Sequence, residues 1–99
     1  MKVFIQSVNF KADASLVEFV EKKLNSIEKY YDKIVDAEVY LKVQQTSEKE
    51  NILVDIKINV PGNDFVVKKQ CKTFEEGVVQ ATDSLKRQLT KKKEKVKAK

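Results

Sequence analysis

The sequence predicts an α+β domain of order β-α-β-β-β-α, a four-stranded mixed sheet with two helices packed on one face. Three observations predict it. Apolar and polar residues alternate singly over 3–5, 34–44, 52–60 and 65–71, the period of a half-buried strand. Apolar residues recur every three or four positions over 16–31 and 74–89, the period of an amphipathic helix. Short connections join the last three strands into an antiparallel meander, while the first helix is long enough to carry strand one to strand two as a parallel neighbour by a right-handed crossover. Both helices then cover the same sheet face. The opposite face, with Glu38, Tyr40, Lys42, Asp55 and Lys57, is polar enough to stay wet.

In strand one, Val3 and Ile5 alternate with Lys2, Phe4 and Gln6. A polar connection through Asn9 and Lys11 follows. The first helix begins either at Asp13 as N-cap or with Ser15 and Glu18 as a capping box. Its apolar face is Leu16, Phe19, Val20, Leu24, Ile27 and Tyr31. Glu21 and Glu28 fall on one flank, and Lys22 and Lys29 on the other with Ser26 between them. Lys23 projects near the stripe itself, where its methylenes cover the core and its ammonium reaches water.

Strand two directs Ala37, Val39, Leu41 and Val43 inward, and residues 45–50 form a polar hairpin loop. Strand three is the most regular of the chain, with Ile52, Val54, Ile56, Ile58 and Val60 inward. Pro61 and Gly62 then suit the two central positions of a type II turn, because proline presets φ at the first and glycine accepts a positive φ at the second. Phe65, Val67 and Cys71 face inward on strand four, as does Lys69, which places that lysine at a sheet margin. The last helix opens over Thr73, Phe74, Glu75 and Glu76 and buries Phe74, Val78, Ala81, Leu85 and Leu89. Gly77 costs a helix about 0.5–1 kcal/mol relative to alanine. A close approach of the two helices, or of helix and sheet, offsets that cost.

Ninety-nine residues with 41% hydrophobic composition suffice for one self-supporting domain. It is expected over residues 1–95, with 96–99 a basic, frayed end. No apolar run approaches the ~20 residues a bilayer requires, and residues 1–8 lack the apolar core and small-residue cleavage site of a signal peptide. The expectation is a cytoplasmic protein without membrane contact. The single cysteine, Cys71, excludes an internal disulfide and fits a reducing compartment as a small strand hydrophobe.

Histidine is absent, which removes the commonest general base and metal ligand. The 15 acids show no metal-loop spacing, and there is neither a glycine-rich phosphate loop nor a nucleophile elbow. The expectation is a protein that is not an enzyme, with no cofactor, no metal and no small-molecule substrate.

Charge is distributed unevenly. Residues 86–99 hold eight cations (Lys86, Arg87, Lys91, Lys92, Lys93, Lys95, Lys97 and Lys99) and one acid, Glu94, a net of +7 against −2 on residues 1–85. A neutral body with a cationic helical arm seeks polyanions. Base-specific DNA reading is disfavoured by the absence of helix-turn-helix or finger spacing. A membrane-surface helix needs bulky apolar residues beside its lysines, and the tail offers only Val96 and Ala98.

With these residues laid out, the chain resembles the short ribosome hibernation-promoting factors, also called ribosome-associated inhibitors or ribosomal subunit interface proteins. The resemblance rests on the run SLVEFVEKKL at 15–24, on the Tyr31-Asp32 junction before strand two, and on Leu85-Lys86-Arg87-Gln88-Leu89 ahead of a lysine cluster. It implies the same β-α-β-β-β-α fold. It also implies binding to the small ribosomal subunit and its rRNA near the decoding centre, where steric occupancy blocks messenger and transfer RNA and inhibits translation under stress or in stationary phase. Intact or paired ribosomes are implied as further partners, and a monomer when free. Carried onto this sequence, the rRNA-binding positions are Lys22, Lys23 and Lys29 on the first helix and Arg87, Lys91, Lys92 and Lys95 on the second, to which the charge pattern adds Lys86. Glu75, Glu76 and Gly77 depart from the family, which often has a tyrosine followed by alanines there. Two other readings stand beside this one: a general RNA-binding or ribosomal protein without inhibitory action, and a protein-interaction module using the outer sheet face or the acidic edge of the first helix.

Overall fold

A computed structural model describes residues 2–44 and 51–97, with side chains as far as Lys91. Six elements follow one another: β1 (Lys2–Val8), α1 (Ala14–Ile27), β2 (Asp36–Val43), β3 (Ile52–Val60), β4 (Asn63–Cys71) and α2 (Phe74–Lys97). The sheet order is β1-β2-β3-β4, with β1 parallel to β2 and the remaining pairs antiparallel, as the meander and crossover require. Val3, Ala37, Ile58 and Phe65 form one inward row across all four strands, and Ile5, Val39, Ile56 and Val67 form the next. The helices close over these rows, burying Val20, Leu24, Ile27, Val78, Leu85 and Leu89 completely.

Local chemistry sets the element ends. Asn9 takes a left-handed φ of 67°, which asparagine tolerates better than most residues, and its Nδ2 donates to the Val43 carbonyl at 3.2 Å. Of the two possible starts for α1, the chain uses Asp13, whose carboxylate accepts the Leu16 N–H at 2.8 Å. The helix stops at Ile27, earlier than its apolar pattern suggests. The N–H groups of Tyr30 and Tyr31 fold back onto the Ile27 carbonyl at 2.9 and 3.3 Å. Tyr31 therefore reaches the core from a turn, not from the helical face expected for it. β2 begins at Asp36, not Ile34, although the Val35 N–H already donates to the Asn59 carbonyl at 2.8 Å.

The expected hairpin loop at 45–50 lies outside the described residues, and Gln44 N–H bonds Asn51 O at its base at 2.8 Å. Gly62 has φ +82°, as the second centre of a type II turn demands, and Val60 pairs with Asn63 across it. Thr73 caps α2, its Oγ accepting the Glu76 N–H at 3.2 Å. Gly77 settles its alternatives in favour of helix against sheet. A Cβ there would stand 2.4 Å from Cys71 Sγ and 2.7 Å from Val54 Cγ2.

β1 and β4 run in the same direction, and each helix returns antiparallel to the strand before it, so α1 and α2 lie parallel. Phe10 and Phe74, at the two helix starts, stack with centroids 4.5 Å apart. At 1.5 Å per residue α2 is about 36 Å long against about 21 Å for α1. The outer sheet face is less polar than expected, since Phe4 and Val66 are more than half exposed there beside Tyr40. Alternation turns Phe4 away from Val3 and Ile5, and no third layer covers it among the described residues.

Candidate nucleic-acid interface

The cations inherit their directions from helix phase. In α2 the buried stripe of Val78, Ala81, Leu85 and Leu89 puts Lys86 on the flank facing α1, Arg87 on the side away from the sheet and Lys91 toward the far flank. Arg87 and Lys91 are exposed. Lys86 is half-buried, with Nζ 5.4 Å from the centroid of the Tyr30 ring, a cation–π distance. That contact joins the turn after α1 to the middle of α2.

On α1, Lys22 is exposed and its phase carries it away from the sheet. Lys23 is half-buried, and its Nζ lies 5.7 Å from the Phe19 ring centroid, so its stem covers apolar surface as expected. Lys29 is exposed but lies beyond the helix. Glu28 is the C-cap, and the Lys29 N–H bonds the Ser26 carbonyl at 3.4 Å. Its alignment with Lys22 comes from a tightened turn that nearly continues the helix. Lys92 and Lys95 fall within α2, and their side chains lie outside the described residues.

The structure thus sets Tyr30, the chain neighbour of Lys29, against Lys86, and helix phase leaves Lys91 on a different side of α2. The cations span the outward half of the helix layer and do not converge on a single point. None of Lys22, Lys23, Lys29, Lys86, Arg87 and Lys91 forms an ion pair with another described residue. Acids mark both helix starts, with Asp13 as the N-cap of α1 and Glu75 and Glu76 in the first turn of α2, where they suit the helix dipoles, while α1 also carries Glu18, Glu21 and its C-cap Glu28 among the cations.

Tyr30 is the member of this surface that sequence reasoning passed over. The signal was present in Lys29-Tyr30-Tyr31: if Tyr31 serves the core, its neighbour points outward, between cations. Among the described residues no group of three or more histidine, cysteine, aspartate or glutamate side chains could hold a metal ion. No described helix is long and apolar enough to cross a membrane.

The fold and this surface define a small α+β protein whose sheet carries two parallel helices with lysines and an arginine on their exposed sides. Residues 3–97 match the family described as Sigma 54 modulation protein / S30EA ribosomal protein. The chain is 30% identical over 95 residues to a ribosome hibernation promoting factor of Pseudomonas putida, covering 96% of this chain and 89% of that protein. With the Escherichia coli K12 factor of the same name it shares 30% over 97 residues, 98% of each chain. A ribosome hibernation promotion factor of Bacillus subtilis is 28% identical, and the match covers half of that longer protein. Two solved structures share the fold: a ribosomal subunit interface protein from Coxiella burnetii (TM-score 0.82, 22% identity, 94% of this chain and 98% of that one) and the N-terminal domain of Thermus thermophilus Protein Y (0.78, 24%, 92% and 98%). This chain belongs to the S30EA ribosomal protein family, the family of the ribosome hibernation promoting factors. Its members are binding proteins, not enzymes.

Proposed function

We propose that the protein is a cytoplasmic ribosome hibernation factor that lodges on the small ribosomal subunit near the decoding centre. There it occupies the path of messenger and transfer RNA and silences translation under stress or in stationary phase. The cations of the helix layer, Lys22, Lys23, Lys29, Lys86, Arg87, Lys91, Lys92 and Lys95, pair with rRNA phosphates, and affinity comes mainly from the counterions they release. The protein is a monomer when free, and intact or paired ribosomes are partners once it is bound. No bond is made or broken; inhibition is occupancy.

The observation that carries this reading is the Lys86–Tyr30 contact. It joins the turn after α1, which carries Lys29, to the middle of α2, so that the cations of both helices belong to one surface. Family membership supplies the ribosome as the polyanion. Sucrose-gradient sedimentation of a lysate, with translation measured in vitro, tests it. Comigration with small subunits or intact ribosomes together with inhibition is expected. Equal affinity for free RNA without inhibition would instead establish a general RNA-binding protein.

A further inference from the structure

The outer face of the sheet carries charges of both signs, Lys2, Lys42, Lys57 and Lys68 beside Asp36, Glu38, Asp55 and Asp64. Phe4 and Tyr40 are 55% and 41% exposed there. They border an open depression of about 410 Å³ walled by Phe4, Gln6, Glu38 and Tyr40 and floored by the strands at Ile5 and Val39. Phe4 stands across from Glu38 in register, and Tyr40 follows Glu38 by two residues on the same face. Strands about 4.8 Å apart and a rise of about 6.6 Å per two residues put the Cα atoms of Phe4 and Tyr40 about 8 Å apart. A single planar cation fits between two rings so spaced, with the carboxylate beside it.

Among the described residues no lysine is ion-paired with that carboxylate. Lys57 is the register partner of Glu38 on β3, yet its Nζ is drawn the other way, to 3.8 Å from Asp64 Oδ2 on β4. Asn59 Nδ2 donates to Asp36 and, at 3.3 Å, to Glu38 Oε2, which holds the carboxylate in place without neutralising it. Asp55 is the register partner of Tyr40. Asp36 and Asp55 face Lys2 and Lys68 in register, so Glu38 is the acid that lines the depression.

We infer that this depression is a docking site for an arginine of a basic protein segment, its guanidinium held between Phe4 and Tyr40 with Glu38 as counter-ion. Arginine suits it better than lysine, because the guanidinium stacks on aromatic faces and pairs with a carboxylate through two parallel bonds. The site lies across the sheet from the helix cations, so the protein can hold RNA on one side and a basic protein on the other. This goes beyond the ribosome-binding reading and does not depend on it.

The test is an NMR titration of the isotopically labelled full chain with the peptide acetyl-Gly-Arg-Gly-Arg-Gly-amide and with its lysine counterpart. Saturable shifts at the amides of Phe4, Glu38 and Tyr40 are expected with the arginine peptide. Loss of the charge-assisted pair in Glu38→Gln should weaken binding roughly tenfold. Phe4→Ala, at an exposed position that leaves the core intact, should weaken it as well, whereas Arg87→Ala with Lys91→Ala should leave it unchanged. Equal affinity for the two peptides, shifts at Glu75 and Glu76 instead, or binding that survives both sheet variants would overturn the proposal. So would an oligouridine that shifts the same sheet amides, because it would make the face a base-stacking surface.

Discussion

Gly77 shows how one missing methyl group places a helix on a sheet. Alanine there gains about 0.8–1 kcal/mol of helix propensity, but its Cβ would enter the space of Cys71 Sγ and Val54 Cγ2 at 2.4 and 2.7 Å. Both neighbours are buried, and a valine's branch has little rotamer freedom. Overpacking of this kind costs about 1–3 kcal/mol, so steric cost outweighs propensity. Gly77→Ala is expected to lower the urea midpoint of unfolding, and an unchanged or higher midpoint would show that α2 can lift off the sheet cheaply. Tyr30 is the corresponding residue of the surface. An exposed cation–π pair contributes only about 0.5–1 kcal/mol, so Tyr30→Ala should move the melting temperature little. It should nevertheless weaken ribosome association measurably, because Lys86 and the turn carrying Lys29 lose their common anchor. Tyr30→Phe keeps the ring and is expected to retain binding.

Within α2, helix phase separates stability from function. Leu85 is fully buried and Arg87, two positions on, is exposed. Leu85→Ala should cost roughly 2–5 kcal/mol, a large part of the ~5–15 kcal/mol that holds a domain together. Arg87→Ala with Lys91→Ala should leave thermal unfolding nearly unchanged and lower the amount of protein that cosediments with ribosomes; unfolding of that double variant would contradict the phase described for α2. The same phase was legible in the sequence, as were the strands, because each element has one face in the core and one in water and its composition records the difference. Tyr31 was misassigned to the helix because a turn with i to i−3 bonds keeps a side chain on nearly the same bearing, so periodicity alone cannot register where a helix stops. The cations could be read from composition. The Lys86–Tyr30 contact could not, since it depends on where two elements far apart in sequence come to lie. Phe4 was legible as an outward residue, but its exposure depends on what does not cover it, and no local pattern encodes that.

At the scale of the whole molecule, the net positive charge lies in residues 86–99, the second half of α2 and the end of the chain, so binding to rRNA should be governed by salt and by how far the cationic surface extends. Each phosphate neutralised contributes about −0.7 to −0.9 to the slope of log affinity against log salt. Ribosome association should therefore fall steeply between low and moderate salt, and a flat response would rule out the helix layer as the main contact. Truncation then locates the contact. Deleting residues 96–99 removes two lysines beyond Leu89, the last buried position described. Deleting everything after Gln88 takes Leu89 as well as Lys91, Lys92 and Lys93. The short deletion is expected to retain most ribosome association with a slightly shallower salt slope, and the long one to lose it. Loss of Leu89 also removes core packing, so the long deletion needs a folded comparison, which Lys91→Ala with Lys92→Ala and Lys93→Ala in the full chain provides. Lys22→Ala with Lys29→Ala should weaken binding too and reduce the slope, because α1 contributes its own phosphate contacts. Equal loss from both deletions, with no effect at Lys22 and Lys29, would mean that the terminal lysines alone bind RNA and the folded helix layer only carries them.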